Sequence, residues 1–285
     1  MKNWMKKLAC AAMALTMVAG AACAEFDASR SIDVISREDG SGTRGAFIEL
    51  TGVQQKIDDK KVDMTTEDAQ ITNNTAVMLT TVAGDAQAIG YVSLGSLDDS
   101  VKAVKIEGVE ATAENVANGS YKVARPFNIA YKQDTLSELG KDFIAYIMSA
   151  EGQAIVNANG YVGSADAAAY AGTAPAGKLV IAGSSSVSPV MEKLAESYMA
   201  LNTQAQLEIQ TSDSTTGMTA AMDGTCEIGM ASRELKESEA AELTSLAIAM
   251  DGIAVIVSNE NPMDEMTVAQ IAAIYTGEVT HWNEL

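Results

Sequence analysis

Cysteine, histidine and proline are scarce in this chain: 285 residues hold three Cys, one His and four Pro. A single histidine leaves no anchored Ser-His-Asp triad, and the few thiols exclude both a zinc cluster and a disulfide framework. Aromatics make up only 5% of the residues, and the few prolines leave long stretches free to form a core. No uninterrupted apolar run reaches the roughly 18 residues that a membrane helix requires. Positive charge is short as well: 19 Lys and Arg stand against 38 Asp and Glu, for a net charge of −19. That balance excludes nucleic acid and anionic lipid as partners and reads as a solubility device. The 15 methionines read as core filling rather than metal handling.

The first 24 residues have the form of a secretory signal. Lys2, Lys6 and Lys7 precede an apolar run from Leu8 to Val18, and small residues end at Ala22-Cys23-Ala24. The expectation is an exported, extracytoplasmic protein, still more acidic without those three lysines. Cleavage after Ala24 follows the A-x-A pattern; cleavage before Cys23 with lipidation of that cysteine is the competing reading, which Gly20 fits poorly. Cys10 leaves with the signal, so Cys226 is the one cysteine certain to remain. His281 and Trp282 read as packing for a loop.

Two turns carry the chemistry. Ser36 to Arg44, SREDGSGTR, lies between the strand-like Ile32 to Ile35 and a helix over Thr43 to Leu50 that Gly52 stops. A strand, a Gly-rich turn and a helix start aim backbone N–H groups and a positive helix end at one spot. Arg37 adds a planar fork of charged donors, and Ser41 and Thr43 add hydroxyls. Gly183 to Pro189, GSSSVSP, repeats the arrangement between a strand over Lys178 to Ala182 and a helix starting near Pro189. Two such turns facing each other suit a small tetrahedral anion.

Elsewhere the spacing predicts a loop or irregular helix through Lys56 to Asp68, a helix over Thr75 to Val82 capped by Asn74, and a strand over Ala88 to Val92. Val101 to Ile106 reads as a short strand, Tyr121 to Tyr131 as an extended stretch interrupted by Pro126, and Leu139 to Met148 as an amphipathic helix. Small residues from Gly163 to Gly177 read as a flexible linker. Strands are expected at Cys226 to Met230, Leu246 to Met250 and Ile253 to Val257, and a last helix over Thr267 to Tyr275. Alternating strands and helices imply an α/β protein with mostly parallel sheets.

In SREDGSGTR, AGSSSVSP, DGTCEIGMASREL, DGIAVIV, IGYVSLG, SAEGQAIVNANGYV and the HWNEL ending, the chain resembles the phosphate-binding proteins of bacterial phosphate ABC transporters. The resemblance implies an α/β, two-lobed periplasmic-binding-protein-like fold of the type II solute-binding class. The AGSSSVSP block normally comes first in that family, so the chain reads as circularly permuted, its old ends near Val162 and Lys178 joined by the linker. The implied organisation is a signal peptide over 1–24, one lobe from 25–99 plus 259–285 with the SREDGSGTR clamp, and a second lobe over 100–258 with the GSSSVSP turn and linker 163–177. Crossings between the lobes are expected near Ser93 to Val101 and Val257 to Pro262.

The implied phosphate ligands are Arg37, Ser41, Gly42 and Thr43 from one lobe and Ser185, Ser186, Ser214 and Ser232 from the other. Ser232 stands where better-known relatives carry an aspartate that accepts the phosphate proton. Asp213 is the candidate substitute and Asp39 the second, Asp39 being also a candidate to orient Arg37. The resemblance implies no cofactor, metal or catalytic residue; its partners are inorganic phosphate and a membrane permease, and a monomer is expected. The alternatives are an exported oxyanion-binding module for sensing or adhesion, and a weak phosphohydrolase using an activated serine, which would require a base beside Ser41 or Ser185.

Overall fold

The computed structural model describes residues 25–285; the signal and the reading of Cys23 fall outside them. In chain order, β1 (Asp33–Arg37), α1 (Gly42–Thr51), β2 (Gln54–Ile57), β3 (Lys60–Asp63), β4 (Gln70–Thr72), α2 (Thr75–Ala83) and β5 (Ala88–Ser93) come first. There follow β6 (Val101–Ala103), β7 (Lys105–Ile106), α3 (Ala113–Ala117), β8 (Ala124–Tyr131), α4 (Glu138–Ile147) and α5 (Ala150–Ala158). The remainder is β9 (Gly177–Ser184), α6 (Ser188–Leu201), β10 (Ala205–Ser212), α7 (Ser214–Asp223), β11 (Ile228–Ala231), α8 (Glu237–Ala240), β12 (Thr244–Ser258), β13 (Glu265–Met266) and α9 (Val268–Tyr275).

One nine-stranded sheet runs β10-β9-β11-β8-β12-β5-β1-β4, with β6 added on β12. Its centre is β12, expected as two strands but continuous over 15 residues. Residues up to Gly252 pair antiparallel with β8, and Ile253 to Val257 pair with β5. Asp251 and Gly252 remain extended because each has a partner on β8, Arg125 and Ala124. Pro126 sits inside β8 without breaking the sheet, since β11 pairs only with Asn128 to Ala130 and asks for no N–H at position 126.

Apolar packing divides the molecule into two lobes. Phe127, Phe143, Leu194 and Tyr198 form a core on one face of the β8 end of the sheet, and Met218, Ala221 and Cys226 form one on the other. Phe47, Tyr91, Val255 and Tyr275 gather on one face of the β1 end, with Met78, Val82 and Ile256 opposite. By this packing one lobe is the continuous stretch 124–251, and the rest of the chain builds the other. The boundary expected at 100 and 258 moves because Val104, Ile106, Val116, Tyr121 and Val123 are buried with Phe47 and Tyr275. The chain therefore crosses at Val123–Ala124 and Asp251–Gly252, on two neighbouring strands, not near 93–101 and 257–262.

Two local readings also change. The stretch expected as a loop or irregular helix is the hairpin β2–β3, turned by Asp58 and Asp59 at φ 47° and 63°. Short polar side chains accept that left-handed turn, and a Lys- and Asp-rich ribbon shows no apolar alternation to reveal it. The presumed flexible linker is held: Tyr170 packs against Tyr146 and donates its hydroxyl to Asp142 at 2.5 Å, and Thr173 N–H donates to the same carboxylate at 2.8 Å. On the opposite face of the same end of the sheet, Gly217 lets α7 lie close to β9, because a Cβ there would fall 2.6 Å from the Gly183 Cα.

Burial would raise the Asp142 carboxyl, but hydrogen bonds from Tyr170, Tyr198 and the backbone of Thr173 and Ala174 outweigh it and hold it below the usual range. A depressed carboxyl stabilises the fold above its unfolded pKa of about 3.9, and that contribution fades as pH falls through the folded-state value. Tyr170→Phe should lower stability at pH 7 by about 1.5 kcal/mol, the lower range for a hydrogen bond to a charged group. Asp142→Asn should flatten the acid limb of stability against pH; urea unfolding from pH 7 to pH 3 measures both.

Candidate functional site

Four helix N-termini converge where the lobes meet: α1 and α2 from one lobe, α6 and α7 from the other. Each start presents backbone N–H groups without intrahelical partners and a partial positive charge. Hydroxyls at these starts touch across the junction. Thr43 Oγ1 lies 2.8 Å from Ser186 Oγ and 3.3 Å from Ser232 Oγ, and Thr75 Oγ1 lies 3.4 and 3.3 Å from the hydroxyls of Ser185 and Ser186. Gly42 is required at the crossing, since a Cβ there would sit 2.3 Å from Ser214 Oγ and 2.8 Å from Ser232 Oγ.

Arg37 enters this junction at the end of β1 with its side chain 2% exposed. Its Nε and Nη2 donate to the two carboxylate oxygens of Glu38 at 2.8 and 2.7 Å, and Nη2 also donates to Ser185 Oγ at 3.1 Å across the lobes. Nη1 is buried with no partner. The strand carrying it is braced from below. Ser36 Oγ bonds the Tyr91 hydroxyl at 3.0 Å, Thr72 Oγ1 donates to the Ser36 carbonyl, and Arg44 Nη1 donates to the Arg37 carbonyl. Tyr91 stacks on Phe47 at 4.0 Å between ring centroids, and Tyr275 meets Phe47 edge-on at 4.7 Å. Such pairs contribute about 0.5–1.5 kcal/mol each beyond area burial and pin α1 against the sheet. Burial pushes the Tyr91 phenol up to about 12, so it stays neutral.

The expected ligand residues are all buried, and they gather in one place. Arg37, Thr43, Ser185, Ser186 and Ser232 share the hydroxyl network described above. Ser41 caps α1 by accepting from Arg44 N–H, and Ser214 Oγ accepts from Ser232 N–H at 3.1 Å. The two aspartates behave otherwise. Asp39 is 98% exposed and pairs with Arg44, not Arg37; the orienter is Glu38. Asp213 caps α7, its two oxygens accepting from the N–H and hydroxyl of Thr216 while it rests against Gly40.

Sequence reasoning missed Thr75, Ser184, Arg125 and Asp251. Ser184 Oγ donates to Ser232 Oγ at 3.0 Å. Arg125 Nη2 donates to Thr43 Oγ1 at 3.1 Å and Nε to the Ser232 carbonyl at 3.2 Å, while Nη1 donates to Asp251. Thr75 was within reach, because Asn74 was readable as a helix cap and Thr75 follows it. Arg125 belongs to no glycine- or serine-rich turn, so nothing in the local pattern marks it. Cavities of 750 and 700 Å³ open on either side of the junction, the first beside Thr75 and Ser185, the second beside Gly45, Arg125 and Arg233.

Among the described residues no helix is long and apolar enough to cross a membrane, and no group of three or more His, Cys, Asp or Glu is placed to hold a metal.

A model described as a PBP superfamily domain matches residues 2–151 and 168–285. A Streptococcus agalactiae serotype V protein named phosphate-binding protein PstS 2 is 50% identical over 278 residues, 96% of this chain and 94% of the relative. The Streptococcus pneumoniae serotype 4 protein of the same name is 46% identical over 265 residues, 93% of this chain and 91% of its own. A crystal structure titled as a phosphate ABC transporter, phosphate-binding protein, from Streptococcus pneumoniae TIGR4 superposes with a TM-score of 0.71 at 46% identity, covering 89% of this chain and 99% of that one. Alignments that span nearly all of both chains run in one order, so this chain is collinear with these relatives. With its two-lobed α/β architecture, the chain belongs to the PBP superfamily and, within it, to the family of the streptococcal phosphate-binding proteins PstS 2.

Proposed function

We propose that this protein is an extracytoplasmic solute-binding protein that captures inorganic phosphate between its lobes and delivers it to the permease of an ABC transporter. The observation that carries the reading is the convergence of four helix starts on a buried arginine: Thr43 and Ser186 meet at 2.8 Å, and Arg37 reaches Ser185 at 3.1 Å. A small anion ringed by N–H groups, hydroxyls and one guanidinium fork is held by short-range donors, which an acidic exterior beyond a Debye length of about 8 Å does not oppose. The names of the streptococcal relatives support phosphate as the ion and an ABC transporter as the setting.

The ligand set proposed is Arg37, Ser41, Gly42, Thr43, Ser185, Ser186, Ser214 and Ser232, with Thr75 added. Arg37 supplies the charge, and its unpartnered Nη1 the donor left over once Glu38 is served. Both halves of the site come from one chain, so a monomer suffices for binding. The block order is read as a circular permutation relative to other members of the wider phosphate-binding group. Export follows from the signal-like first 24 residues, with signal cleavage and Cys23 lipidation as the two routes.

Micromolar binding requires only about 8 kcal/mol, within reach of several charge-assisted bonds at roughly 1.5–3 kcal/mol each after desolvation. Arg37→Ala should weaken phosphate binding at least about tenfold by titration calorimetry, the loss of one charge-assisted bond; near-native affinity would place the site elsewhere. Phosphate at a hundred times its Kd should stabilise the wild-type fold by about 2.7 kcal/mol, read as a higher melting temperature. A melting curve indifferent to phosphate would reject the reading.

A further inference from the structure

We infer that Arg125 and Asp251 form a positioning pair for the anion site: Arg125 fixes which way the Thr43 hydroxyl donates, and Asp251 cancels the charge that Arg125 would otherwise add. The inference rests on the phosphate reading above. The two residues face each other in the β8–β12 register, Asp251 at the point where its strand passes between lobes and Arg125 one residue beyond the crossing of its own. Their side chains are 3% and 0% exposed. Arg125 Nη1 donates to Asp251 Oδ2, and the guanidinium lies 4.9 Å over the Phe127 ring. From there it reaches both halves of the site, the Ser232 carbonyl in its own lobe and Thr43 Oγ1 in the other.

A guanidinium only donates. Thr43 Oγ1 therefore spends a lone pair on Arg125, and its one proton is free only to be given away. The oxygens within its reach are Ser186 Oγ at 2.8 Å and Ser232 Oγ at 3.3 Å; an anion oxygen between the lobes would take that proton in their place. The fixed proton spares the hydroxyl the cost of reorienting when an anion arrives.

Charge at the junction is balanced as well. Burial lowers the Arg125 pKa to about 9, which leaves the group protonated at neutral pH, with the Asp251 carboxylate against it. Glu38 stands in the same relation to Arg37. The junction thus holds two guanidiniums, each matched by a carboxylate, and sorts ions by donor and acceptor pattern more than by charge. Stability alone does not require the second pair. Apolar replacements of a buried ion pair are often neutral or stabilising, and Asp251 Oδ1 is buried without any partner, a cost the fold does not recover.

The test is titration calorimetry with inorganic phosphate on the wild type, Thr43→Val, the double variant Arg125→Met/Asp251→Asn, and the triple combination, with thermal melting as the fold control. The expected result is a loss of about tenfold for the double variant at near-native melting temperature, and less than about a threefold further loss on adding Thr43→Val, because the two changes remove one shared arrangement. Wild-type affinity in the double variant, or losses that simply multiply, would overturn the inference while leaving phosphate capture standing. Failure of the wild type itself to bind phosphate would overturn both. If the double variant does not fold, Arg125→Lys keeps the charge and loses the fork; weaker binding at unchanged melting supports the pair, and unchanged binding overturns it. Asp251→Asn alone should narrow the preference for phosphate over sulfate in competition, and an unchanged ratio would remove the charge-cancelling role.

Discussion

Burying a guanidinium is costly unless its charge is paired and its donors find acceptors, and much of the architecture around Arg37 answers that demand. Glu38 takes the charge and two N–H groups, Ser185 takes a share of one from across the cleft, and Nη1 is left over. Everything that holds β1 in place serves the same end. The Tyr91–Ser36 bond, the Thr72 hydroxyl on the Ser36 carbonyl and Arg44 on the Arg37 carbonyl together immobilise the backbone from which the side chain projects. The aromatic stack of Phe47, Tyr91 and Tyr275 then fixes α1 at the distance where Thr43 meets Ser186. On the proposed phosphate reading net charge has little part in this; a strongly acidic chain can hold an anion by keeping a few donors dry and close.

Much of this was legible in the residues. Gly-rich turns between a strand and a helix announce a helix start; both turns lie where their composition placed them, and they face each other. Asn74 caps the helix its side chain suggests. The α/β class and the two lobes also follow from alternation of elements and the resemblance those blocks carry. What was hidden has identifiable reasons. Asp39 stands two residues from Arg37, and in a continuing strand the alternation of side chains would put both on one face. The strand ends at Arg37, however, and the chain turns there, so the alternation lapses and Glu38 folds back while Asp39 points to solvent.

The lobe boundary was misread for a related reason. Asp251-Gly252 has the composition of a break, and only the opposite strand, supplying Arg125 and Ala124 as partners, keeps it extended. A pairing set by distant sequence cannot be read from the local one. Arg125 itself is an arginine beside a proline in a mostly apolar strand, where a surface position would be the ordinary guess; a buried carboxylate more than a hundred residues later is what draws it inside. Tyr170 shows the converse. A segment of small residues looks slack, yet one aromatic ring with a polar tip is enough to fasten it.

The two crossings on neighbouring strands carry a consequence for assembly. Everything from Ala124 to Asp251 is one uninterrupted insertion, and its entry and exit sit side by side on a hydrogen-bonded ladder. That half has all its partners in hand once Asp251 has been synthesised. The other half does not: β5 waits for Ile253 to Val257, and Phe47 waits for Tyr275 at the far end of the chain. The topology thus lets one half draw its sheet partners from a single continuous stretch, while the flanking half is complete only when segments from both sides of that stretch are brought together.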